Sequence, residues 1–302
     1  MMNSKPHTKP LFPLPVQLHQ ILNLFLLLLL AKYTAYLYYG WGEILTTLFV
    51  TLLATYALER YYRHIDGYYI PYSALTTALG VLLMSFSTHL WMTITVIIIA
   101  LFQKYILRIN DRHLFNPSNF ALIFGLLCFY ADFHIVLGQL GDSHILAGVV
   151  LLLGALILYR IDRWIIPLAF TFAYLLLQYA IIVQSDPVIE MESIWLRFYS
   201  VSFILFILFM LTDPKTTPKS SLSQMLFAIL IALGATWLDY QNGFRVQHLF
   251  MALFVVSAAV PLLQYKNIEK KQRYLLWLVL VLAMGAIILI EQRPPYYFAM
   301  DV

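Results

Sequence analysis

The sequence is a succession of apolar runs separated by short polar connections, and the length of those runs decides the class of fold. A helix that crosses a bilayer needs roughly 20 mostly apolar residues. Eleven such runs can be read along the chain: 16–39, 41–59, 70–87, 89–107, 118–137, 144–160, 164–184, 194–212, 222–238, 247–265 and 273–291. Apolar residues make up 62% of the chain and charged residues 11%, against about 25% charged in a soluble domain. Surface this apolar requires lipid as its solvent, where helices satisfy their own backbone groups. The expectation is an all-α, polytopic transmembrane bundle of 10–11 helices, with residues 1–302 as a single transmembrane domain. Several runs are short, so one or two are candidates for broken or re-entrant spans.

The lysines and arginines test this partition. With the N-terminus cytoplasmic, the inner segments contain Lys5 and Lys9; Arg60 and Arg63; Lys104, Arg108 and Arg112; Arg160 and Arg163; Lys215 and Lys219; then Lys266, Lys270, Lys271 and Arg273. The outer side receives Arg197, Arg245 and Arg293, and Lys32 falls inside the first run. This alternation obeys the positive-inside rule, and a wrong span count would scramble it. It predicts an inside N-terminus, an outside C-terminus and, for a bacterial chain, the inner membrane. The net charge of +4 is then topological, and nucleic acid is not an expected partner. Residues 1–15 read as a cytoplasmic tail. The run after them lacks a small-residue cleavage site and reads as a retained first helix.

Few residues carry recognisable chemistry. Cys128 is the sole cysteine, which excludes an internal disulfide and any four-cysteine site within one chain; its place in an apolar run suggests packing. The eight histidines form no ligand spacing, and most lie at span ends, so neither haem nor an iron–sulfur centre is expected. Asp132, His134, Asp142 and His144 gather at one outer connection, which reads as a wet loop in preference to a metal site. No catalytic residue and no metal ligand emerges.

Two inner segments depart from apolar filler. In Asn110-Asp111-Arg112-His113-Leu114-Phe115-Asn116-Pro117-Ser118-Asn119-Phe120, Asn116 is a good helix N-cap and Pro117 suits the first helical position. The segment is either a capped helix in a basic loop or a phosphate seat at a helix N-terminus. In Thr212-Asp213-Pro214-Lys215-Thr216-Thr217-Pro218-Lys219, Pro214 ends a helix at Asp213. An acid at that depth is costly unless paired or functional, and the other reading is a polar interfacial turn. A third stretch, Asp66-Gly67 followed by Ser73-Ala74-Leu75-Thr76-Thr77-Ala78-Leu79-Gly80, carries small and hydroxylated residues that suit close helix packing. His113-Leu114-Phe115 and His248-Leu249-Phe250 hint at a repeat of five spans, which an odd span number would invert.

DRHLFNPSNFALIF, FMLTDPKTTPKS and DGYYIPYSALTTALG together resemble the RnfD/NqrB membrane-subunit superfamily. The nearest resemblance is to its stand-alone branch, which includes UnbU-type proteins of enediyne gene clusters and carries variants of KHxFNPTNFG and SDPKTTP. The resemblance covers roughly residues 55–265. It implies two inverted five-helix repeats, 16–137 and 144–265, with 273–291 as an extra C-terminal helix, distantly similar to urea and ammonium transporters. It also implies membrane electron transport, with flavin near the bilayer and partners among membrane or cytoplasmic redox subunits. Any enzymatic role would be that of a subunit of a membrane oxidoreductase.

One departure matters. The family attaches FMN to a threonine in an S/D-G-A-T type motif, whereas the only threonine in residues 120–205 is Thr171, with no Gly-Ala before it. FMN or riboflavin would therefore bind non-covalently. The resemblance places that site at Asn116, Pro117, Asn119, Thr212, Asp213, Lys215 and Thr217, with Arg112 and Lys219 supplying charge to a phosphate. The alternative is a small-molecule transporter or channel on the same inverted-repeat scaffold.

Overall fold

The computed structural model describes residues 15–34, 37–64, 70–110, 112–136, 144–185, 189–265 and 268–293. The tail, Asp66, Gly67, Asp111 and Asp142 lie outside the described residues. Among the described residues are twelve helices and four short strands. The first half has α1 (Val16–Tyr33), α2 (Trp41–Arg63), α3 (Tyr72–Met84), β1 (Ser85–Ser87), α4 (Leu90–Ile106), β2 (Arg108–Ile109), β3 (Arg112–His113), α5 (Pro117–Cys128) and β4 (Phe133–Ile135). The second has α6 (His144–Ile161), α7 (Ile165–Leu177), α8 (Met191–Tyr199), α9 (Val201–Leu205), α10 (Ser221–Asn242), α11 (Gln247–Gln264) and α12 (Lys270–Glu291). π-helical turns extend α7 over Gln178–Val183 and α9 over Phe206–Met210. The chain is an all-α helical bundle and an integral membrane protein.

Every apolar run of the sequence contains helix, but not every run is one full-length helix. Six helices are long and apolar enough to cross a bilayer: α1, α2, α7 with its π turn, α10, α11 and α12. Met191–Phe198 and Phe203–Met210 make a seventh span if counted together, and they are bent by 66°. α3, α4 and α5 hold 13, 17 and 12 residues.

The runs 70–87 and 118–137 are not continuous helices; short runs were the candidates for such a break. Each is helical for its first part and extended for its last. The two extended ends, β1 and β4, pair antiparallel, Phe86 opposite His134. Further bonds from Thr88 N to Asp132 O and from Val136 N to Met84 O, both 3.0 Å, extend the pairing. The physical reason is serine chemistry: Ser85 Oγ donates to Val81 O at 2.8 Å, closing the end of α3, and Ser87 Oγ bonds Thr93 Oγ1 at 2.7 Å. The backbone groups released by the helix are repaid by the strand pair, as a low-dielectric interior demands.

α3, α5 and α11 form the centre, and each is buried over most of its length. Small residues let them approach. A Cβ on Gly80 would sit 2.9 Å from Ser118 Oγ, and one on Gly125 would sit 2.4 Å from the Phe133 ring. α2 lies outside and turns one stripe inward, Ile44, Thr47, Thr51, Thr55 and Glu59 at helical spacing. Thr47 and Thr55 return their hydroxyls to backbone carbonyls four residues earlier. Cys128 is exposed on the bundle surface, which corrects the expectation that it packs inside.

Candidate functional site

The site is built on the start of α5. Asn116 Oδ1 accepts from Ser118 N at 3.0 Å and Asn119 N at 3.3 Å, and Pro117 opens the helix. The predicted cap is formed. What the sequence did not show is its depth. Arg112 Nη1 donates to Gln264 Oε1 at 3.0 Å, at the C-terminal end of α11. Phe115 stacks on Phe254, ten residues earlier on α11, with ring centroids 4.4 Å apart. At 1.5 Å rise per residue these two contacts lie about 15 Å apart along α11, spanned by the Arg112 side chain together with three residues of backbone. Asn119 Nδ2 then bonds Phe250 O at 3.1 Å, deeper still. The N-terminus of α5 therefore opens inside the bundle.

The second segment meets it there. Asn116 Nδ2 donates to Asp213 Oδ2 at 3.4 Å, across 97 residues of sequence. Arg112 Nη2 donates to Pro214 O. Asp213 organises its own turn: Oδ1 accepts from Lys215 N at 3.0 Å, and its carbonyl accepts from Thr217 Oγ1 at 2.8 Å and Thr216 Oγ1 at 3.4 Å. Lys215 thus meets Asp213 through its backbone, in an Asx turn. Arg163 Nη1 donates to Pro218 O and ties the far side of the loop to the α6–α7 connection.

Two neighbouring cavities open on these residues. One of about 300 Å³ is lined by Gln17 and Gln20 of α1, Ser73, Thr76 and Thr77 of α3, His113, Asn116, Pro117, Ser118, Phe209, Asp213 and Lys215, among others. The other, of about 640 Å³, is lined by Thr55, Glu59 and Arg63 of α2, Tyr72 and Ser73, Lys104 and Tyr105 of α4, Arg108, Arg112, His113 and Lys215, among others. The cavities share Gln17, Ser73, His113 and Lys215. Both lie within the size range of ligand pockets, about 300–1,000 Å³. His113 stands at the shared wall, and burial pushes its imidazole down to about 4 against the opposing pull of Asp213. Burial, and then nearby Arg112, lower the guanidinium of Arg163.

Of the sequence-predicted residues, the structure brings together Arg112, Asn116, Pro117, Asp213 and Lys215. Asn119 is buried behind the cap and spends its amide on Phe250. Thr212 is buried and returns its hydroxyl to Leu208 O, and Thr217 is buried within the Asp213 turn. Lys219 is exposed and lines neither cavity, because Pro218 and the start of α10 carry it outward. Thr76 and Thr77, read as packing residues, line the smaller cavity while bonding Tyr72 O and Ser73 O.

The sequence reading missed a buried charge network at the opposite end. Asp239, near the end of α10, is fully buried and central. Its Oδ2 accepts from Arg197 Nη1 at 3.2 Å, Gln178 Nε2 at 2.9 Å and Tyr174 OH at 3.4 Å. Its Oδ1 faces His248 Nδ1 at 2.7 Å and accepts from Arg245 N at 3.0 Å. His248 Nε2 lies 3.4 Å from Glu291, which also pairs with Arg245 at 3.5 Å. Arg197 sits 3.4 Å over the Phe244 ring. The members are spread over five helices and one connection, as isolated polar residues in or between apolar runs, so spacing carried no signal. Along α10 the network lies about 27 Å from Ser221, next to the Asp213 turn.

Around the outer connection, Thr88 Oγ1 donates to Asp132 Oδ1 at 2.9 Å, and His134 stacks on Phe86. Among the described residues no group of His, Cys, Asp and Glu is arranged to hold a metal ion.

A comparison with curated proteins finds no match. Residues 129–273, a little under half of the chain and including the Asp213 turn and the Asp239 network apart from Glu291, match the family model described as NQR2, RnfD, RnfE, which makes this part of the chain similar to that family and supports the RnfD/NqrB resemblance.

Proposed function

We propose that the chain is a membrane electron-transport component that holds a flavin, FMN or riboflavin, non-covalently in the cavities at the start of α5. The observation that carries this reading is the meeting of Asn116 and Asp213 at the wall of the smaller cavity, from segments 97 residues apart. The family match supports electron transport as the broad role. The lining fits the group: Gln17, Gln20, Thr76, Thr77 and Asn116 offer the amides and hydroxyls that an isoalloxazine edge pairs with, while Pro117, Phe209 and Ile161 supply apolar walls. A bound flavin would supply one- and two-electron chemistry. Electron donors and acceptors would be other membrane or cytoplasmic redox subunits, and the Asp213 end would face the cytoplasm of a bacterial inner membrane. The UnbU-type branch fits the same reading.

The test is the visible spectrum of protein purified in mild detergent and then incubated with riboflavin and with FMN. Flavin absorbance that bleaches on reduction, and that falls at least tenfold in occupancy in Asn116→Ala, supports the reading. Folded protein that neither retains nor takes up either flavin overturns it.

A second reading rests on a different observation. α5 opens inside the bundle, and discontinuous helices of this kind frame substrate sites in transporters built from inverted repeats. Uptake of a small solute by this chain alone in liposomes, abolished by Asp213→Asn, would favour transport.

A further inference from the structure

The network around Asp239 takes no part in the site at the start of α5, and it holds a histidine between two acids. His248 stands at the second position of α11, and its side chain is fully buried. Nδ1 lies 2.7 Å from Asp239 Oδ1 of α10, and Nε2 lies 3.4 Å from Glu291 Oε1 of α12. Each acid has a cationic partner besides. Arg197 Nη1 of α8 is 3.2 Å from Asp239 Oδ2, and Arg245 Nη1 of the α10–α11 connection is 3.5 Å from Glu291 Oε2. Gln178 Nε2 and Tyr174 OH donate to Asp239, and Gln247 Nε2 donates to Glu291 Oε1 at 2.9 Å. Both acids are therefore surrounded by donors, as carboxylates are. Among the described residues, Asp239, Glu291, Arg197 and Arg245 are the charged groups of this network.

A carboxylate only accepts hydrogen bonds, whereas a neutral imidazole donates from one nitrogen and accepts at the other. A neutral His248 would turn one lone pair onto a carboxylate oxygen, with the ring buried away from bulk water. With hydrogen on both nitrogens, each nitrogen faces an acceptor. Three effects oppose the added charge: burial, the start of α11 with its dipole of about half a positive charge, and the two arginines. Arg197 also rests 3.4 Å over the Phe244 ring, and the Arg245 side chain is 29% exposed, so both are partly satisfied away from the histidine. Two full negative charges at the ring outweigh a half charge and two arginines that are already paired.

We propose that His248, Asp239 and Glu291 form a proton-binding site, in which the bound proton sits on His248 Nε2 and clasps the end of α12 to α10 and α11. The Glu291 side chain is 8% exposed and the other two are fully buried, so exchange with the aqueous phase passes through Glu291. Glu291 also lies beyond the residues that match the family model, so the last helix of this chain completes the site. The proposal stands apart from the flavin reading and survives its failure.

The experiment is nitrogen-15 NMR of the full chain, labelled at histidine, in neutral detergent at pH 7. Loss of a signal pair in His248→Gln identifies the ring. Expected is hydrogen on both ring nitrogens of His248 in the unchanged chain. Glu291→Gln keeps an acceptor for Gln247 and should return the ring to the neutral form with one N–H. In that variant, amide exchange across residues 287–291 should quicken at least tenfold. A neutral His248 in the unchanged chain overturns the proposal, and this measurement needs no variant to fold. Both hydrogens retained in folded Glu291→Gln would overturn the part given to Glu291, and unchanged exchange across 287–291 would overturn the clasp.

Discussion

Single side chains in this bundle carry weight when they hold charge away from water. Asp239 accepts from Arg197, Gln178, Tyr174 and the Arg245 backbone while facing His248. Replacing it by Asn strands a buried guanidinium, a defect worth about 3–5 kcal/mol. Thermal unfolding in detergent should show Asp239→Asn strongly destabilised, whereas Arg197→Met with Asp239→Leu should cost less than the sum of the single changes. His113 makes a pH prediction. Its folded value, about 4, lies below the ordinary 6.5, so an unfolded chain takes up the proton first as pH falls. Its contribution to stability is complete above pH 6.5 and is lost as pH falls from there towards 4. Asp213 pulls the other way, and Lys104, Lys215 and Arg108 reinforce the depression. Unfolding temperature measured against pH should fall less steeply across that window in His113→Gln than in the unchanged chain.

At the scale of elements the instructive cases are α3 and α5. Their runs are apolar enough to be whole helices, and hydropathy alone reads them so. The break comes from tertiary partners that no local pattern names: Ser85 closes on Val81, β1 finds β4, and Phe133 fills the space that Gly125 leaves. Gly125→Ala would drive a methyl against the fully buried Phe133 ring. Overpacking of this kind costs roughly 1–3 kcal/mol. Gly148→Ala meets nothing within 4 Å and should be close to neutral, or slightly stabilising through helix propensity. Comparing the two by thermal unfolding tests whether the α5–β4 contact is as tight as described. The cap of α5 was legible, since Asn suits the N-cap and Pro the first helical position under either reading of the segment. Its depth was not, because depth is fixed by the stacking of Phe115 on Phe254, a partner 139 residues away.

For the whole molecule, the polar segments sort to two ends. Arg112, Asn116, Asp213 and Pro218 interlock at one, and Arg197, Asp239, His248 and Glu291 at the other. Glu192 and Lys219 are exposed near opposite ends. With Cys128 replaced by Ser, cysteines placed at 192 and 219 should react with a membrane-impermeant reagent from opposite sides of sealed vesicles, position 219 from the cytoplasmic side. Labelling of both from one side would refute the alternation of spans.

The sequence by itself determined the solvent and where helix would be found, because both follow from local counts, run length against bilayer thickness. It also marked Asn116 and Asp213, whose residue types are out of place in apolar filler. Tertiary structure alone decided that these two meet, that Lys104 replaces Lys219 among the cations of the cavity, and that six scattered polar residues close around Asp239. Such choices depend on which helices become neighbours and how far each penetrates, and that is settled by packing between positions tens to hundreds of residues apart, where spacing along the chain carries no record of distance in space.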